Sequence, residues 1–247
     1  MKTNVKNSVL ALSILVFAVS CKKEEPTPTE TPITITEDDA ADLVASSIGT
    51  GTYGVSSSTN EAAQRTTYAY NQPVPCLYSL DTTIVKQSPN GGAISYNYNL
   101  NYGYQMYCTN AVPTSLVCTM SSTGQLDQIR MSASSTASGS LTFTGLAPSA
   151  SQYTLSGTYQ REGSASSKVR AKNSFTYNLT INISDFLVNK TSYQIEGGSS
   201  TVSLVATTST GKTFSFSGSL SYIDENTASL VIGSRTFTIN IPNSTVN

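Results

Sequence analysis

From about residue 66 to the C-terminus, apolar and polar side chains take turns at every second position. That period belongs to a strand with one buried and one wet face, not to a helix. The longest run covers 93–107, where Ile94, Tyr96, Tyr98, Leu100, Tyr102, Tyr104 and Met106 are separated by Ser95, Asn97, Asn99, Asn101, Gly103 and Gln105. The pattern returns in 174–184 (Phe175, Tyr177, Leu179, Ile181, Ile183) and in 213–222 (Phe214, Phe216, Leu220, Tyr222). Shorter versions occur in 140–145, 152–159, 201–206, 228–232 and 236–241. Turn chemistry separates the runs at Pro89-Asn90-Gly91-Gly92, Gly163-Ser164, Gly197-Gly198, Thr210-Gly211, Asp224-Glu225-Asn226 and Gly233-Ser234. Strands joined by turns this short pair as antiparallel hairpins. The expected fold is therefore all-β, a large antiparallel meander forming a curved sheet, a barrel or a sandwich. Its apolar face must be covered by curling, by a second sheet or by a helix.

One short amphipathic helix is expected ahead of the sheet, over about 37–48. Thr36 can cap it, Glu37, Asp38 and Asp39 suit the positive end of its dipole, and Ala40, Leu43, Val44 and Ile48 form one stripe before Gly49. Capping also accounts for these carboxylates together with Asp42 better than a calcium site does, since no ion-binding loop is implied. The Gly/Ser/Thr-rich stretch 49–60 reads as loop. With no proline between Pro148 and Pro242, a single antiparallel β domain over 62–247 is the simplest division.

The N-terminus has the layout of a cleaved export signal over 1–20: basic Lys2 and Lys6, an apolar run from Val9 to Val19, then Ser20 before Cys21. The run is too short to span a bilayer. Phe17-Ala18-Val19-Ser20-Cys21 resembles the bacterial lipobox, and the resemblance implies that Cys21 becomes the acylated first residue of a lipoprotein. The following Lys22-Lys23-Glu24-Glu25 is similar to the export signal of Bacteroidota surface lipoproteins, which implies an outer-membrane, lipid-anchored protein displayed on the cell surface. Residues 21–36, with Pro26, Pro28 and Pro32, read as a lipidated flexible tether.

Composition narrows the chemistry. The 247 residues contain 14 Lys+Arg against 15 Asp+Glu, a formal charge of −1, which offers nothing to nucleic acid. Histidine is absent, removing the usual general base and the commonest zinc ligand. Neither a metal nor a cofactor is expected. Asp224-Glu225 sits in a turn, and Ser209-Thr210-Gly211-Lys212 lies between strands where its catalytic reading wants a helix start, so no catalytic residues are assigned. Arg161, Lys168, Arg170 and Lys172 read as a solvated hairpin tip, with an anionic glycan or lipid head group as the alternative.

Three cysteines remain besides Cys21. Cys108 and Cys118 share the parity of the apolar positions and are expected to pair across a hairpin, leaving Cys76 as a buried thiol. The row Tyr96, Tyr98, Tyr102 and Tyr104 is the candidate ligand face, because four phenols on one strand are costly to bury completely; cross-strand packing is the competing explanation. The functional expectation is a non-catalytic surface or periplasmic binding or structural module. Its polar sheet face or loops would meet a glycan or a protein. The alternatives are a carrier of an apolar or amphipathic ligand in a curved sheet and, last, a carboxylate-based hydrolase.

Overall fold

The computed structural model describes residues 34–170 and 172–247. The expected export signal, Cys21 and most of the expected tether lie outside the described residues. Helix α1 (Glu37–Ile48) and helix α2 (Val55–Tyr70) come first, and a short 3-10 turn (Pro75–Leu77) leads into eleven strands. These are β1 (Ser79–Gln87), β2 (Ser95–Thr109), β3 (Val112–Asp127), β4 (Met131–Thr144), β5 (Gln152–Ser167) and β6 (Ser174–Asn189), then β7 (Ile195–Thr208), β8 (Thr213–Tyr222), β9 (Thr227–Ile232), β10 (Arg235–Asn240) and β11 (Thr245–Val246). They form one antiparallel sheet in strict sequence order, a meander, and β1 does not pair with β11.

Two hydrogen bonds show that this sheet curls. Ser56 and Ser58, two residues apart on α2, bond to Tyr222 of β8 and Tyr102 of β2, at 2.7 and 3.2 Å between oxygens. In a flat sheet β2 and β8 would stand roughly 29 Å apart at the usual strand spacing. Two tyrosine side chains on neighbouring helix positions cannot reach that far. The sheet therefore rolls around the helices without closing into a barrel.

The inner face carries the alternating apolar residues, with Phe143, Leu155, Leu179, Ile181, Phe186 and Leu230 among its fully buried members. Helix α1 belongs to the same core: every residue from Asp39 to Ile48 is buried. Its N-terminus is closed as expected, by a capping box in which Thr36 Oγ1 accepts from the Asp39 amide and Asp39 Oδ2 accepts from the Thr36 amide. Ion pairs then tie the first two turns to three hairpin connections: Asp38 to Arg235, Asp39 to Arg170, and Asp42 to both Arg130 and Arg170.

Two readings of the sequence need correction here. Residues 55–70 are helix, not loop followed by the start of the β domain. The buried side of α2 is Val55, Ser56, Ser58, Thr59, Ala62, Ala63, Thr66 and Ala69, a helical stripe built from small residues. Small side chains contribute little apolar contrast, so the 3.6 period was hidden among serines and threonines. The basic cluster is not a solvated tip either. Arg161 is 3% exposed, and Arg170 is engaged with α1.

Candidate functional site

The tyrosine row is mostly packed inside the sheet, with Tyr102 and Tyr104 reaching the wall of a groove beside α2. Tyr98, Tyr102 and Tyr104 are buried, and Tyr96 is half-buried. Their rings stack along the strand, Tyr96 on Tyr98 at 5.6 Å and Tyr102 on Tyr104 at 5.9 Å. Helix α2 and strand β5 supply partners for the buried phenols: Ser58 Oγ accepts from Tyr102, and the phenol oxygen of Tyr98 accepts from Arg161 Nη2 at 3.1 Å. A carrier would keep its ligand on this side of the sheet, where α1 and α2 pack.

Arg161 is the unusual member of that interior. Its Nε donates to Ser135 Oγ at 2.9 Å, and its Nη1 donates to the Ser46 carbonyl and to Ser47 Oγ, both at 3.4 Å. The guanidinium thus links β5, β4 and β2 to the last turn of α1, where a cation is favoured by the helix dipole. Although burial works against its charge, the phenols of Tyr177, Tyr98 and Tyr159 around it hold its pKa above the ordinary arginine value.

The cysteines also pair differently from expectation. Cys76, in the 3-10 turn, is bonded to Cys108, with Cα atoms 5.7 Å apart, and Cys118 is a buried free thiol. Shared parity does not make Cys108 and Cys118 cross-strand neighbours, because the register of the β2–β3 hairpin sets them four positions apart, and a register shift falls between Tyr107 and Cys108. Beyond that irregularity Cys108 faces Pro113, while Cys118 stands opposite Tyr104, well inside the hairpin. Burial pushes the Cys118 thiol up to about 12, so it stays protonated and is a poor nucleophile.

The inner face is packed against the helices except at grooves beside α2, and the outer face is open along its length. Its residues are the polar partners of the alternation, and the register sets them in rows across the strands. One row runs Thr83, Asn101, Ser121, Ser138, Gln160, Thr180, Ser203 and Ser217 from β1 to β8. The next runs Asp81, Gly103, Thr119, Ser140, Thr158, Asn182, Thr201 and Ser219. Neighbours along a row are about 4.8 Å apart and successive rows about 7 Å apart, so donors and acceptors form a regular grid. Some bond within the row, as Thr83 Oγ1 does to Asn101 Oδ1 at 2.7 Å and Thr158 Oγ1 to Asn182 Oδ1 at 3.2 Å.

Among the described residues, the outward positions of the two rows hold one charge, Asp81, and no Lys or Arg. The face is also not flat. A depression of about 470 Å³ lies over Gly103, bordered by Asp81, Thr83, Asn101, Thr119 and Ser121. Its floor exists because Gly103 has no side chain: a Cβ there would come within 2.7 Å of Thr119 Oγ1 and 2.9 Å of Asp81 Oδ1. Two further depressions, of about 580 and 590 Å³, share Gln125 and Ser134 and continue toward β5 and β6 through Ser164, Glu162 and Thr176. The polar face was legible in the sequence as the Asn/Ser/Thr half of the alternation. The depression at Gly103 was not, because it depends on which residues the register sets beside the glycine.

Asp224 behaves as a turn residue, accepting from the Asn226 amide at 2.8 Å. No group of three metal-ligating side chains occurs among the described residues, and no described helix is long and apolar enough to cross a membrane. Comparison of the chain with family models, with curated proteins and with solved structures gives no match.

Proposed function

We propose that this chain is a lipid-anchored, non-catalytic binding module of the outer membrane, displayed at the cell surface, whose outer sheet face takes a neutral glycan. The observation that carries the reading is the trough over β1–β6, lined by amides and hydroxyls in register and free of basic side chains. A saccharide presents hydroxyl groups that both donate and accept, as Asn, Gln, Ser and Thr do. Each hydrogen bond contributes only about 1 kcal/mol net, so useful affinity needs many of them in register on a preformed surface. A rigid sheet supplies that pre-organisation. An acidic polysaccharide finds no cation there, and Asp81 and Glu162 repel it. The lipobox-like Phe17–Cys21 and the Lys-Lys-Glu-Glu that follows support the anchor and its address.

The test uses full-length protein made soluble by Cys21→Ala, offered to insoluble cellulose, xylan, mannan and starch and, as anionic controls, to pectate and alginate. Depletion from solution by at least one neutral polymer and by neither anionic one is expected. Gly103→Val fills the central depression and should abolish depletion while leaving the circular dichroism unchanged. Binding that survives Gly103→Val, or retention on the anionic polymers alone, overturns the assignment. Labelled palmitate incorporation and protease shaving of intact cells check the anchor and the display separately.

A further inference from the structure

We infer that the bare edge of β1 accepts an extended peptide strand from another protein, one that turns a carboxylate toward α2. The two ends of the sheet are unlike. At the far end β11 has two residues, Thr245–Val246, and lies beside α1. Short, covered strands are a common way of blunting an edge. At the near end β1 has nine residues, Ser79–Gln87, without proline or bulge, and among the described residues it pairs only with β2.

The hydrogen-bond phase identifies the groups left over. The Ser88 amide donates to the Tyr96 carbonyl and the Met106 amide donates to the Tyr78 carbonyl, each at 3.0 Å. Since bonded and non-bonded pairs alternate along an antiparallel ladder, the even-numbered residues of β1 face β2. Ser79, Asp81, Thr83, Val85 and Gln87 therefore direct their amides and carbonyls away from the sheet. A row of alternating donors and acceptors at strand spacing is complementary to one kind of ligand, another extended backbone.

Beside this edge a groove of about 420 Å³ separates β1 from α2, with Glu61, Gln64, Arg65, Tyr68, Ile84 and Tyr104 among its walls. An added strand would put every second side chain into it. Glu61 is paired with Lys86 across the groove. Arg65 lies over the rings of Tyr68 and Tyr104, at 5.2 and 6.0 Å, and no carboxylate among the described residues pairs with it. The groove thus has one unneutralised cation, which selects an acidic side chain at the facing position. A second copy of β1 is the poorer occupant. Paired antiparallel about Thr83, it would bring another Lys86 into a groove that already holds Arg65 and Lys86.

The experiment uses soluble full-length Cys21→Ala protein and fluorescent nine-residue peptides of alternating Val and Thr, with Glu or Lys at the central groove-facing position. By anisotropy the Glu peptide should bind about fivefold more tightly than the Lys peptide, the size of a partly exposed ion pair. Arg65→Ala should erase that preference, weakening the Glu peptide and relieving the repulsion of the Lys peptide. N-methylation of the peptide amides that face β1 should weaken binding about tenfold or more, leaving the protein untouched. Thr83→Pro should reproduce the loss from the protein side, since that amide points outward. Undiminished binding of the N-methylated peptide, absence of binding by every peptide, or a dimer in sedimentation that Thr83→Pro dissociates would each overturn the inference. None of these outcomes bears on glycan binding by the outer face.

Discussion

The two faces of the same strands differ in what a side chain can do there. Inside, neighbours are backbone and locked rings; outside, they are the free ends of other side chains. Gly124 and Gly103 show the contrast on adjacent strands. A Cβ on Gly124 would meet the Asn97 carbonyl oxygen at 2.2 Å and the Tyr98 ring at 2.3 Å, whereas one on Gly103 would meet only the tips of Thr119 and Asp81. The inner face therefore fixes the fold and tolerates little, and the outer face is free to vary.

The largest test of that division is a buried ring against an exposed hydroxyl. Phe186→Ala removes a fully buried side chain that packs edge-on against Tyr222 with centroids 4.9 Å apart. It should cost about 3–5 kcal/mol in urea unfolding. Ser138→Ala, its counterpart on the outer face, should stay within about 0.5 kcal/mol. Equal losses would show that the outer face also carries the fold.

Next in size is the disulfide between Cys76 and Cys108, which closes a segment of 32 residues between the end of α2 and the β2–β3 hairpin. Cys76→Ser with Cys108→Ser should lower stability by about 3–4 kcal/mol in the chain-entropy account. Arg161→Ala should cost about 3 kcal/mol, because Tyr98, Ser135 and the Ser46 carbonyl lose a buried charged donor. Gly124→Ala should be markedly destabilising and Gly103→Ala nearly neutral, measured side by side by thermal melting.

The smallest effect is a pH dependence at the start of α1, where two carboxylates act in opposite senses. The bidentate hydrogen bonds from Arg235 hold Asp38 below its ordinary value of 3.8, so its contribution is present above that value and is lost as pH falls through the lowered pKa. Burial pushes Asp42 above 3.8, more than Arg130 and Arg170 pull it down. Its ionisation therefore subtracts stability as pH rises from 3.8 through the raised pKa. Asp38→Asn should flatten the acid limb of stability against pH, and Asp42→Asn the limb above it. Identical profiles for both variants would mean that the hairpin contacts, not the charges, hold α1 in place.

The meander was legible because strand periodicity is a local property: Tyr98, Leu100 and Tyr102 declare a face without reference to any other strand. The capping box of Thr36 and Asp39 was legible for the same reason. What escaped was set by partners distant in sequence. After Val55 the stripe of α2 consists of Ala, Ser and Thr, so its burial is decided by Tyr102, Tyr153 and Tyr222 on the other side of the contact. Cys108 pairs elsewhere because the register of the β2–β3 hairpin sets Tyr104, not Cys108, opposite Cys118, and the turn before β1 brings Cys76 within reach. Arg161 looked like a surface cation until Ser46, Ser47, Ser135 and Tyr98 surrounded it. The wet side of the strands was visible as composition, but its trough arises only when six strands are set side by side.

Helix α1 is the first of the described elements and is packed against the last, β9 to β11. Nearly two hundred residues must leave the ribosome before its apolar stripe finds those neighbours. Topology of this kind delays collapse, with rates in the range of milliseconds to seconds for chains dominated by distant contacts. In the interval the apolar stripe of α1 stands unprotected, so holding factors have their greatest leverage on that segment before the last strands are made.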